Sequence, residues 1–278
     1  SCSTRCGHEA NARGRYGSAQ TSTTVLWLQS RPIRCRHGQG STGDLCSGLF
    51  LAEAVPACAP ADMISVSRLS ERDDLSILCL GAHSDDIEIG CAGTIGRLLR
   101  EHPSSRITWL VLSAEGERAD EARRSARTLL ADAGEVDVVL KTFRDGYFPW
   151  EGGEIKSFLE QVARGLQPDI IFTHRRSDLH QDHRTVADLT WNLFRDHFIL
   201  EYEIPKYDGD LSAPNFFVPL TEDEARTKIE HLMTGFPSQL ARDWFAAETF
   251  ESVLRLRAIE SRTPTGFAEG FHCRKVVF

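Results

Sequence analysis

From residue 75 onward the chain alternates short apolar runs with longer stretches whose apolar residues recur at helical spacing. The runs at 75–82 (LSILCLGA), 106–113 (RITWLVLS), 135–141 (EVDVVLK) and 169–173 (DIIFT) are short, aliphatic and β-branched, as strands buried on both faces are. Between them 93–101, 119–133 and 154–165 predict helices, the last stopped by Gly165 and Pro168. A fourth helix is expected at 182–196, a strand at 198–203, and a helix at 221–234 with Thr221 and Glu224 in a capping box. Strand and helix in alternation give an α/β fold, a doubly wound, mostly parallel sheet with helices on both faces. In such sheets ligands bind beyond the carboxyl ends of the strands.

The first 62 residues lack this periodicity. They carry six Arg, no Lys and four acidic residues, net +2, and five of the eight cysteines, whereas the whole chain of 278 residues has a formal charge of -8. The first methionine, Met63, stands directly before the periodic region. Residues 1–62 are therefore expected to be an upstream or disordered segment outside the core, with the catalytic domain at 63–278. A targeting segment is the rival expectation, from the mildly apolar 48–57 and the small residues around Cys58, although Glu53 interrupts that run. Past the seam only Cys79, Cys91 and Cys273 occur, without zinc-type spacing or a disulfide framework, which suits a reducing compartment such as the cytoplasm. No run approaches the roughly 20 apolar residues of a membrane-spanning helix, and the acidic balance speaks against a nucleic-acid partner. The residues set no oligomeric state.

Two polar clusters fall where strands end: His83-Ser84-Asp85-Asp86 after the first, and His174 through His183, containing Asp178, His180 and Asp182, after the fourth. A catalytic zinc-type site needs about three His or carboxylate ligands and one open position. His83, Asp86 and His183 supply such a set, and Asp85 then lies beside it as a general base. Taken singly, an acid or imidazole after a strand is an ordinary turn or cap residue. Two such turns in one acidic chain call for a cation to neutralise them. Gly90, Gly93 and Gly96 are spaced G-x-x-G-x-x-G, which differs from the dinucleotide fingerprint and suits close helix packing. His174 and Asp178 are candidates to orient a ligand, Arg118 to meet substrate, and Tyr147 and Trp150 to stack on a sugar ring; the alternatives are a strand end, a cap, a solvated arginine and packed loop aromatics.

These residues resemble a known family. His83-Ser84-Asp85-Asp86 looks like the His-Pro-Asp-Asp motif, and His180-Gln181-Asp182-His183 like the His-x-Asp-His motif, of the PIG-L/LmbE-like zinc-dependent N-acetylglucosaminyl deacetylases. The likeness extends to the turn at 113–117 and to the Ser-Gln at 238–239. It implies a Rossmann-like fold and Zn2+, or another divalent first-row metal, on His83, Asp86 and His183. It further implies Asp85 as general base and His180 as oxyanion stabiliser or proton donor. The implied reaction is hydrolysis of a linear amide, releasing acetate and a free amine from an acetamido sugar or glycoconjugate. Ser84 departs from the usual Pro, which frees a backbone angle in the metal turn; Ile87 stands where many members have Glu, with Glu88 one place further on. The rivals are a metal-dependent phosphoesterase and a non-catalytic sugar-binding module.

Overall fold

The computed structural model describes residues 65–278, so the expectations for 1–62 lie outside the described residues. Seven strands form one sheet: β1 (Ser76–His83), β2 (Arg106–Ser113), β3 (Glu135–Leu140), β4 (Ile170–His174), β5 (Phe198–Tyr202), β6 (Phe216–Leu220) and β7 (Phe267–Cys273). Their order is β3-β2-β1-β4-β5-β7-β6, parallel through β5 and antiparallel at β7 and β6. The helices are a short α1 (Val66–Leu69), then α2 (Asp86–Glu101), α3 (Gly116–Leu129), α4 (Phe148–Ala163), α5 (Gln181–Leu193), α6 (Glu222–Gly235) and α7 (Ala247–Ser261). None is long and apolar enough to cross a membrane.

Because successive strand side chains point to opposite faces, each strand feeds two cores. Ile77 and Cys79 of β1 and Ile107, Trp109 and Val111 of β2 join a core roofed by α2, α3, α6 and α7. Leu78, Leu80, Leu110 and Leu112 enter the opposite core under α4 and α5. The mostly parallel, two-sided sheet is thus the one the periodicity predicts. β6, α7 and β7 were not expected, and complete the far edge.

The helix expected from residue 93 begins at Asp86 instead. Its first ten residues are all buried, so they show no polar face from which a helical period is readable. The helix is broken at Cys91 (φ -151°, ψ 16°), which removes ladder partners from the N–H groups that follow. Glu269 of β7 takes them up, accepting from Gly93 N at 3.0 Å and Thr94 N at 2.7 Å. Lys228 of α6 neutralises that carboxylate at 2.5 Å and donates to Ile89 O. Gly90 lets this kinked segment approach β5, since a Cβ there would lie 2.3 Å from the Tyr202 ring. Lys228→Met leaves Glu269 charged and buried, and is expected to lower unfolding free energy by about 3–5 kcal/mol. Urea denaturation reads this, and a loss below about 1 kcal/mol would contradict the role given to the pair.

Candidate active site

The parallel strands carry their polar turns to one cleft of about 790 Å³, lined among others by His83, Asp85, Asp86, Arg118, Asp145, His180 and His183. β1 and β4 lie side by side, so the turns that end them face each other although about a hundred residues separate them in sequence. In the first turn, Asp86 Oδ2 accepts the His83 backbone N–H at 2.6 Å, which folds the carboxylate back toward the imidazole of its own turn. In the second, His180 is the N-cap of α5, its Nδ1 accepting from Asp182 N at 3.3 Å.

Three donor atoms converge between the turns. His83 Nδ1 lies 3.2 Å from His183 Nε2 and 3.4 Å from Asp86 Oδ2, and His183 Nε2 lies 3.5 Å from Asp86 Oδ1. Each imidazole has its other nitrogen on a carboxylate: His183 Nδ1 on Asp178 at 3.1 Å, and His83 Nε2 on Asp182 at 3.3 Å and Asp145 at 3.0 Å. Those carboxylates draw the ring protons outward, so both ring lone pairs and a carboxylate face one point. Such a convergence is repulsive unless a positive charge, a proton on His83 or a metal ion, occupies it. Ligands about 2.1 Å from a tetrahedral ion stand about 3.4 Å apart, which is the spacing found here, so the residues fit a zinc-type ion. Two further groups of similar composition, His83-Asp145-His180 and His174-Asp178-His183, each share an imidazole with the first.

Electrostatics follow the burial. Burial pushes the His183 imidazolium down to about 3, helped by the neighbouring His174. Burial works the same way on His83, but the Asp86 charge and the hydrogen bonds to Asp145 and Asp182 outweigh it and hold its pKa well above the usual range. For Asp86 burial is outweighed by His183, His174 and His83, which keep it ionised far below the usual carboxylate range. Burial lifts Asp85 above that range; Arg118 opposes the lift and the Asp86 charge adds to it. Burial, with the His83 charge, lowers His180.

The candidates for outer roles are placed as follows. His174 ends β4, stacks on the His183 ring at 3.9 Å between centroids, and lies 3.1 Å from Asp86 Oδ2. Asp178 holds His183 and also His180 N, at 2.7 Å. Asp182 accepts Gly146 N at 2.6 Å and Phe148 N at 3.1 Å, so it joins α5 to the turn after β3. Arg118, partly exposed on the cleft wall, donates to Asp85 Oδ1 at 2.7 Å, with Glu121 3.6 Å from its other nitrogen. Glu121 in turn accepts Ser238 N at 2.8 Å and Ser238 Oγ at 2.6 Å, tying the Ser-Gln turn to the same arginine. Asp145, Glu121 and Lys206 were not picked out from the sequence. Asp145 follows the third strand and was findable by the strand-end rule. Lys206, 3.0 Å from Asp178 and 2.7 Å from Asp210, sits in an aperiodic segment after β5 that gave no signal.

The fold and this strand-end site define a Rossmann-like α/β protein with a metal-type His/Asp/His centre. Residues 78–194, from β1 to the end of α5 and including both polar turns, match the PIG-L family model described as GlcNAc-PI de-N-acetylase. The uncharacterized deacetylase YaiS of Escherichia coli (strain K12) is 28% identical over 138 residues, covering 46% of this chain and 74% of YaiS. Among solved structures, N,N'-diacetylchitobiose deacetylase from Pyrococcus horikoshii superposes with a TM-score of 0.54 at 22% identity, over 72% of this chain and 83% of that one. GalB, the 4-carboxy-2-hydroxymuconate hydratase from Pseudomonas putida KT2440, superposes with a TM-score of 0.56 at 17% identity, over 73% of this chain and 98% of its own. At these identities the structures establish a shared fold.

Proposed function

We propose that this chain is a metal-dependent hydrolase that removes the N-acetyl group from an N-acetylglucosamine-type sugar or its conjugate, giving acetate and a free amine. The observation that carries the proposal is the convergence of His83, Asp86 and His183 at tetrahedral-edge spacing beside a buried, arginine-held carboxylate, Asp85. Zinc or another divalent first-row ion would be held by those three residues, and when bound supplies Lewis acidity toward water and the amide carbonyl. The family description and the diacetylchitobiose deacetylase support the acetamido sugar as substrate class. GalB shows why fold alone does not fix the reaction.

The chain's own residues then divide the work. Asp85, whose affinity for protons burial raises, takes the proton of the attacking water and returns it to the nitrogen as the C–N bond breaks. Arg118 and Glu121 hold Asp85 in place. His180 accepts from Asp182 N through Nδ1, so its ring proton sits on Nε2, available as a neutral donor to the developing oxyanion. Asp178 and Asp182 keep the imidazoles of His183 and His83 turned toward the point where the ion would be held.

Acetate release from N-acetylglucosamine, its disaccharides and its lipid and polyol glycosides, followed with and without chelator, tests the proposal. We expect acetate and free amine in equal amounts, abolished by chelator, and no phosphate from p-nitrophenyl phosphate. A two-metal phosphoesterase is disfavoured because each extra His/Asp group shares with the first an imidazole, and not a carboxylate able to bridge two ions about 3.5–4 Å apart. Phosphate release with no acetate from any substrate would overturn the assignment.

A further inference from the structure

The turn between β3 and α4 is tied to the site and yet presents two aromatic rings outward. Gly146 N and Phe148 N both donate to Asp182, Gln181 donates to Gly146 O, and the Phe148 side chain is buried in the core under α4 and α5. Gly146 takes φ 78°, a conformation that favours glycine. With Gly146 and Phe148 fixed, Tyr147 between them and Trp150 beyond are left outside, 40% and 73% exposed. Their ring centroids are 5.6 Å apart. Arg144, which lines the catalytic cleft, lies 3.5 Å over the Tyr147 ring, so the pair begins one side chain beyond the cleft wall.

We propose that Tyr147 and Trp150 form a distal subsite that stacks a second sugar ring of a carbohydrate chain whose acetamido group is cut in the cleft. The proposal rests on the deacetylase function above for its reaction, though not for the binding itself. A large indole held in the open on an anchored turn offers an apolar face, and the C–H face of a pyranose matches it, while Arg144 over the neighbouring Tyr147 ring offers a donor for hydroxyl groups. The surroundings argue against the other flat or apolar partners. Within a few residues of the rings in sequence, the acids Asp145, Glu151 and Glu154 outnumber the single cation Arg144, and the chain is acidic overall, which disfavours an anionic bilayer surface and a nucleic-acid strand alike. The occupant these residues select is a neutral glycan.

Binding of N-acetylglucosamine and of its β-1,4-linked trimer is measured by calorimetry on the chelator-treated and the zinc-loaded chain, for wild type, Trp150→Ala and Trp150→Phe. Acetate release from both sugars is followed in parallel. The trimer is expected to bind wild type roughly 3- to 10-fold more tightly than the monomer, the size of one aromatic contact. Trp150→Ala should erase that gain and leave monomer affinity and monomer kcat/KM unchanged, and Trp150→Phe should keep most of it. Equal binding of monomer and trimer to wild type, no binding of either, or a gain that survives Trp150→Ala would overturn the subsite. Since binding is read without metal, absence of acetate release overturns the deacetylase assignment and leaves the binding result to decide the platform.

Discussion

Asp85→Asn is expected to lower kcat by about 10²- to 10⁴-fold, the usual contribution of a positioned general base. Bound metal and KM should stay near the wild-type values. The amide keeps an oxygen for the Arg118 donor that meets Asp85 at 2.7 Å, and the residue stays the N-cap of α2, so the turn that presents His83 and Asp86 is preserved. Only the ability to take a proton is lost. Steady-state kinetics with metal analysis of the same sample separates this from a ligand role. A kcat within tenfold of wild type would mean that another group accepts the proton of water, and loss of metal would make Asp85 a ligand.

His183→Ala should behave in the opposite way, losing the ion and with it all acetate release. It removes the atom 3.2 Å from His83 Nδ1 and 3.5 Å from Asp86 Oδ1, leaving two ligands where about three are needed. Asp178→Asn is the graded companion. It leaves the ligand in place but weakens the hold on His183 Nδ1, so metal affinity should fall by roughly 10- to 100-fold and activity should return at high metal concentration. Equilibrium dialysis reads both. Wild-type metal binding by His183→Ala would remove that residue from the centre, and an unchanged affinity in Asp178→Asn would show that the carboxylate does not orient it.

The parts of the fold legible in the sequence were those with contrast between faces. β2 occupies 106–113 as read, because its residues alternate between two apolar cores and its ends are polar. The capping box of Thr221 and Glu224 is formed as its spacing predicts. The start of α2 was hidden, since Asp86 through Thr94 are buried on all sides, charged residues included. α7 was hidden by the reverse: Ile259 is 74% exposed while Arg257 is buried on Glu203, so its apolar positions do not mark its inner face. β7, with Gly270 and the buried Glu269, looks polar because that carboxylate serves the broken helix opposite.

The site shows the same division. His83, Asp85, Asp86, His180 and His183 were readable because their turns follow strands, and a parallel sheet gathers strand ends. The neighbours that set their geometry came from elsewhere. Arg118 looked like a helix-start residue for solvent or substrate, and its place on Asp85 depends on β2, which leads into α3, pairing with β1. Lys206 reaches Asp178 from a loop whose course no local pattern predicts, whereas Asp145, which reaches His83, follows a strand end as the other site residues do.

The most direct test of the central claim is a zinc titration of the chelator-stripped chain, with acetate release from an N-acetylglucosamine substrate recorded at each addition. Activity absent in the stripped chain, rising with zinc and levelling at one ion per chain, is the predicted result. Acetate release that survives stripping, or a chain that binds no ion and releases none, would contradict a metal-dependent deacetylase built on His83, Asp86 and His183.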